Sequence, residues 1–189
     1  MFLSRPDILK HLENQDLRFD PPVPEERIAQ VSIDLFLGRR FTTFKQPPGY
    51  ITSIHMDPSL WDSEDLWEHT ETDIFVLEPN QFVLAQTLER VRIPNSLMGL
   101  VEGRSGFARL GVTVHATAPK IDPGFHAPIT LEMANFGKLA VELRAGIDKP
   151  AQLLLAKITT PLEESELYGT NPEDVFQHQT EPIPRGRQS

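Results

Sequence analysis

From Ile74 to Ile158 the chain repeats one rhythm: short apolar or alternating segments, each stopped by Pro, Gly or Asn. Eight segments stand out as strand candidates: 75–77, 81–87, 90–93, 97–101, 112–114, 129–134, 139–143 and 152–158. None is long enough, or has the 3.6-residue periodicity, to be a core helix. Many short strands at close spacing with little helix between them predict a mainly β fold of the sandwich or jelly-roll type. Before this region, Ser4 followed by Pro6 and Asp7 reads as a helix cap, a proline in the first turn and an acid near the positive end of the helix dipole. Ile8, Leu9 and Leu12 then give a short apolar stripe, which predicts a helix over residues 6–14. Pro21, Pro22 and Pro24 end it, and Val31–Leu37 alternates like a strand up to Gly38. Residues 57–72 are acidic, hold both tryptophans and interrupt the strand pattern, so a surface excursion with a short helix is expected there. After Thr160 periodicity is lost among Glu, Pro, Gln and Arg. The 189 residues thus divide into a domain over 1–160, large enough for a substantial core, and a flexible tail over 161–189 that is either mobile or ordered by a ligand or partner.

One interruption within the β region is chemically unusual. Gly103-Arg104-Ser105-Gly106 places exposed main-chain amides beside a guanidinium and a hydroxyl, and Phe107–Leu110 reads as a single helical turn. Such a corner can receive phosphate oxygens, or it can be a solvated glycine-rich connection. Downstream, Ile129, Leu131 and Met133 fall on one face of a strand and Thr130 and Glu132 on the other. Glu132 either faces solvent, as most strand glutamates do, or lines a cleft as a general acid and base.

The net charge of −9 argues against broad binding to nucleic acid or to anionic membranes. No apolar run approaches the ~20 residues of a membrane span. Cysteine is absent, which removes disulfides and thiolate metal sites and fits a cytoplasmic protein.

Four blocks, taken together, closely resemble the dCTP deaminase family of the trimeric dUTPase-like superfamily: Gly103–Gly111, His115–Ala118, Ile121–Phe125 and Ile129–Glu132. Pro6-Asp7-Ile8, Ser32–Gly38 and residues 77–88 extend the resemblance over nearly the whole chain to about residue 160. It implies a distorted jelly roll (the dUTPase-like β-clip) assembled as a homotrimer with active sites between subunits. It implies hydrolysis of dCTP to dUTP and ammonia with no zinc, since the zinc deaminases use a Cys-rich site that this chain cannot supply. By resemblance Glu132 shuttles the proton, Ser105 and the backbone at Ala118 hold the water and the tetrahedral centre, and Arg109 orients the site. Arg104, Ser105 and Gly106 would grip the triphosphate, with Mg²⁺ bridging phosphate oxygens rather than sitting in a protein cage. Lys120 takes the place of a common arginine. Asp122 would read the 3′-hydroxyl, Phe125 would pack on the deoxyribose, and Tyr168 and Gln179 would close over the phosphates. The ligands implied are dCTP and dUTP, with dTTP as a candidate inhibitor.

Four departures accompany the match. Gly106 replaces a serine, Lys120 keeps the charge of arginine without its fork, Val175-Phe176 stands where a Lys-Tyr pair is usual, and the turn at 146–152 carries one extra residue. Arg-Ser-Gly is also the dUTPase pattern, so a plain dUTPase or a bifunctional, dUMP-forming enzyme is an alternative, with Asp122 activating water. Glu132 favours deamination, because dUTPases have an apolar residue there. Ala118-Pro119, in place of Ala-Gly, favours deamination alone. A non-catalytic trimer that binds nucleotide is a third reading, opposed by the joint presence of Ser105, Arg109, Asp122 and Glu132.

Overall fold

The structure, a computed structural model, describes residues 1–45 and 66–183. It opens with helix α1 (Arg5–Glu13), where the Asp7 carboxylate accepts bonds from the Ser4 hydroxyl at 2.7 Å and the Ser4 N–H at 3.3 Å. These bonds satisfy the free helix start, and the Ser4 hydroxyl bond is the main reason that the Asp7 pKa is lowered.

Twelve strands follow: β1 (Arg18–Asp20), β2 (Ser32–Leu35), β3 (Leu37–Phe44), β4 (Trp67–Glu71), β5 (Ile74–Leu77), β6 (Phe82–Arg92), β7 (Leu97–Gly103), β8 (Val112–Thr113), β9 (Lys120–Ile121), β10 (His126–Asn135), β11 (Val141–Arg144) and β12 (Ala151–Lys157). All pairings between them are antiparallel. One sheet runs β4-β3-β6-β10-β8 with β1 added to β6, a second runs β2-β12-β7-β9, and β5 pairs with β11 in a ribbon. A single apolar core draws on all three: Phe41, Val83, Leu131 and Met133 from the first, Ile33, Val101, Leu153 and Leu155 from the second, Leu77 and Leu143 from the ribbon. The fold is the mainly β jelly roll that the strand rhythm predicts.

Three readings need correction. The expected break between residues 87 and 90 does not exist, and β6 runs straight through it. Glu89, which falls in that expected break, is 1% exposed and ion-paired to the buried Arg27, while its second oxygen accepts the Phe36 N–H at 3.1 Å. The strand accommodates it at a bulge, where the register with β10 shifts between Pro128 and Thr130. The segment at 57–72 is likewise not helical where it is described. Residues 67–71 form β4, the last strand on that side of the sheet among the described residues, and its four positions after Trp67 are exposed and polar; residues 57–65 lie outside the described ones. Finally, Leu139 and Ala140 precede β11 instead of opening it, because Gly137 and Lys138 turn the chain there.

Residues 161–183 lie along the body of the domain. Gln177 accepts from the His126 N–H at 2.8 Å and donates to the carbonyls of Gly124 at 2.9 Å and Tyr168 at 2.8 Å. Arg40 of β3 donates to the Thr180 carbonyl at 2.6 Å and pairs with Glu181 at 3.5 Å.

Candidate active site

Strand β10 sets the geometry. Ile129, Leu131 and Met133 are buried in the core, so Thr130 and Glu132 emerge together on the opposite face. They open into a pocket of about 300 Å³, lined also by Ala118, Lys120, Asp122 and Phe125 and, from the tail, Tyr168, Phe176, Gln179 and Ile183. Glu132 is half-buried and its Oε2 accepts the Ala116 N–H at 2.9 Å. That bond fixes one carboxylate oxygen and leaves the other to act on a ligand.

The floor is a tight turn. The Phe125 N–H donates to the Asp122 carbonyl at 3.2 Å, while Gly124 and Phe125 exchange backbone bonds with Ile93 at the end of β6. Gly124 has φ +90°, and a Cβ there would lie 2.7 Å from Leu167, so the approach of the tail requires glycine. Phe125 is buried and meets the Tyr168 ring at 5.8 Å between centroids. Burial raises the Tyr168 pKa, outweighing the hydrogen bond that its oxygen accepts from the Phe176 N–H at 3.2 Å, so the phenol stays protonated at neutral pH. Asp122 is paired with Lys120 at 2.8 Å.

Gln179 donates through Nε2 to the Pro128 carbonyl and to Thr130 Oγ1, both at 3.0 Å. Its Oε1 is buried and has no hydrogen-bond partner among the described residues, which leaves an acceptor for a ligand. Sequence reading gives no site role to Thr130 or Ile183, and marks Phe176 only as a departure from a Lys-Tyr pair. Thr130 was within reach, since it shares a strand face with Glu132.

Six of the expected site residues beside Glu132 therefore gather in this pocket: Ala118, Lys120, Asp122, Phe125, Tyr168 and Gln179. Arg104, Ser105, Gly106 and Arg109 do not line it. They form a separate corner at the end of β7, where Ser105–Ala108 makes a helical turn, α2. Ser105, Gly106 and Arg109 are exposed, and Arg109 has no acidic partner within 4 Å among the described residues. Arg104 is held at 3.1 Å by Asp34 of β2. The single chain thus presents two separate features: a pocket with a carboxylate and an open cationic corner.

A family model described as "dCTP deaminase-like" matches residues 2–158. The chain belongs to that family. Among its curated relatives, the "dCTP deaminase, dUMP-forming" of Methanobrevibacter smithii is 40% identical over 167 residues, covering 85% of this chain and 82% of the relative. The protein of the same description from Halobacterium salinarum is 39% identical, covering 96% and 92%. The "dCTP deaminase" of Natronomonas pharaonis is also 39% identical over 96% and 92%. Among solved structures, the 2′-deoxycytidine 5′-triphosphate deaminase from Agrobacterium tumefaciens aligns with a TM-score of 0.61 at 20% identity, over 87% of this chain and 50% of that one. That likeness supports the mainly β fold. In this family the Glu132 pocket and the Gly103–Gly106 corner become two parts to be explained together.

Proposed function

We propose that the protein hydrolyses dCTP to dUTP and ammonia, in a homotrimer where the corner of one protomer completes the pocket of its neighbour. The observation that carries this reading is the Glu132 carboxylate: mid-strand, fixed by one main-chain N–H, and facing a pocket floored by Asp122 and Phe125. A pyrimidine ring in that pocket would meet the free carboxylate oxygen.

Attack of water at C4 needs a base, a proton for N3, and then a proton for the departing amine. One carboxyl can carry both water protons in turn, the first to N3 as the water adds to C4 and the second, from the resulting C4 hydroxyl, to the departing amine. C4–N then breaks, C4=O forms and ammonia leaves with no net proton uptake. Ser105 and Arg109, supplied by the neighbouring corner, would hold the water and orient the carboxylate, with the main chain at Ala118 facing the tetrahedral centre. Asp122 would accept the 3′-hydroxyl and Phe125 would pack on deoxyribose. Arg104, the Gly106 amide and Lys120 would meet the triphosphate, with Tyr168 and Gln179 closing beside it. Among the described residues no three His, Asp or Glu side chains gather as a metal cage. Mg²⁺, whose hard charge is satisfied by phosphate oxygens and water, would enter on the nucleotide and neutralise it there. The deoxyribose and triphosphate contacts would also admit dTTP as a competitor. We place the enzyme in the cytoplasm, in keeping with its lack of cysteine.

A second reading, continued hydrolysis to dUMP, is favoured by the names of the Methanobrevibacter and Halobacterium relatives and by Asp122 lining the same pocket as Glu132. Incubation with dCTP and Mg²⁺, followed by ion-exchange separation, tests both. dUTP with equimolar ammonia is expected. dUMP as the product would establish the second reading, and dCTP left intact would overturn both.

A further inference from the structure

The loop between β11 and β12 brings a second cation to the corner. Gly146–Pro150 is tied to the start of β3 by two backbone bonds, Leu37 N–H to the Asp148 carbonyl at 2.9 Å and Gly146 N–H to the Leu37 carbonyl at 2.8 Å. It is tied to the corner by a third, Arg104 N–H to the Pro150 carbonyl at 2.9 Å. Lys149 is thereby fixed beside Arg104. Its Nζ lies 3.8 Å from Asp34 Oδ2, the same oxygen that Arg104 Nη1 meets at 3.1 Å, so the two cations are at most about 7 Å apart. The Nζ also stands 5.8 Å from the Phe36 ring centroid, which keeps it over the domain surface.

The local charges do not cancel. Asp148 is committed to Arg144, accepting its N–H at 2.7 Å and its Nη2 at 2.8 Å. Glu102 turns toward His115, at 3.5 Å. Among the described residues, Asp34 alone therefore faces both Arg104 and Lys149, which leaves one positive charge in excess there. Two like charges this close repel each other, and an anion that bridges them relieves that cost. The main chain two residues beyond Arg104 is open as well: a Cβ built on the exposed Gly106 meets nothing within 4 Å. Residues 161–183, the described part of the tail, add no lysine or arginine of their own.

We propose that Lys149 is a phosphate-binding residue, which with Arg104 forms a two-cation clamp for the terminal phosphates of the nucleotide, both held in place by Asp34. This rests on reading the corner as the triphosphate half-site, and goes beyond it by assigning Lys149 and Asp34. An ammonium on a pinned loop supplies a point charge beside the planar fork of Arg104, a pairing suited to a branched polyanion.

The test is calorimetric titration of the full chain with magnesium tripolyphosphate, which carries no base or sugar. Lys149→Met should weaken binding about tenfold, the effect of removing one charge-assisted contact, and Lys149→Arg should restore it to within about threefold. With dCTP, Lys149→Met should raise KM by a similar factor at nearly unchanged kcat, since the contact is made in ground state and transition state alike. Equal tripolyphosphate affinity in Lys149→Met and the parent overturns the proposal, as does a parent that binds no tripolyphosphate. Lys149-dependent binding in a protein that releases no ammonia from dCTP would uphold the clamp while removing the deaminase reading.

Discussion

Glu132 and Gln differ by one protonatable oxygen, which makes this position the sharpest test of the chemistry. In Glu132→Gln the amide oxygen can still accept the Ala116 N–H, so the strand and pocket should persist while proton transfer is lost. Ammonia release should fall by at least about 10³-fold, with an unchanged circular dichroism spectrum; near-normal release would remove Glu132 from the shuttle role. Asn135, three residues on, is a structural counterpart. Fully buried, it donates to the carbonyls of Leu77 and Leu139, both at 2.9 Å, and accepts the Gly137 N–H at 2.8 Å. Asn135→Ala would strand those groups at a cost of about 3 kcal/mol, a fall in Tm of roughly 6–12 °C for a chain of this size, measurable by scanning calorimetry. The two positions also differ in how far sequence reveals them. The outward direction of Glu132 follows from the alternation of Ile129, Leu131 and Met133. The burial of Asn135, like that of Glu89, depends on partners far along the chain, such as Arg27, which is 62 residues from Glu89. Nothing local to such a residue records that partner.

The element that most needs explanation is the tail, because composition alone leaves it either mobile or ordered, while the structure lays it over β10. Its anchor near residue 178 should be sensitive to acid. The rings of His126 on β10 and His178 on the tail meet edge to face at 5.3 Å. Burial lowers the His126 pKa first, followed by the charges of Arg90, His178 and Arg92, with Asp20 opposing them. A released tail exposes His126, whose proton affinity then returns toward the ordinary value near 6.5. The released state therefore binds more protons, and docking should be complete above about pH 6.5 and lost progressively below it. Amide hydrogen exchange of residues 168–179, corrected for its intrinsic pH dependence, should show this loss in the parent and a flatter profile in His126→Gln. Identical profiles would mean that His126 does not govern docking. The strands show a related limit on what patterning reveals. β7, β10 and β12 are legible because their burial alternates. β1 and β9, with three and two residues, are too short to carry a period, and exist because β6 and β7 offer partners.

At the scale of the molecule, one protomer looks unfinished. The pocket lacks the corner residues, and the corner lies beside large apolar side chains left in water: Leu110, 59% exposed, Phe136, 73%, and Leu139, 80%. Leu110 and Phe136 are drawn together by a close backbone crossing, where a Cβ on Gly111 would lie 2.6 Å from the Gly137 nitrogen. Exposed apolar area of this kind beside the corner is what the proposed subunit interface would cover. A closed three-fold ring would place the corner of each protomer against the pocket of the next. If the site is shared in this way, two inactive variants should repair each other. Glu132→Gln retains an intact corner and Arg109→Ala an intact pocket, so each homotrimer is dead. A mixed trimer, however, contains junctions where a good pocket meets a good corner. Random mixing at equal concentration, by unfolding and refolding together, should restore about one quarter of the parent rate, because each of the two halves of a junction is intact half the time. Ammonia release from the co-refolded mixture, compared with the separately refolded variants combined afterwards, reads the effect directly. Recovery in neither sample would place pocket and corner chemistry within one chain, and would leave the apolar patch to serve some other contact.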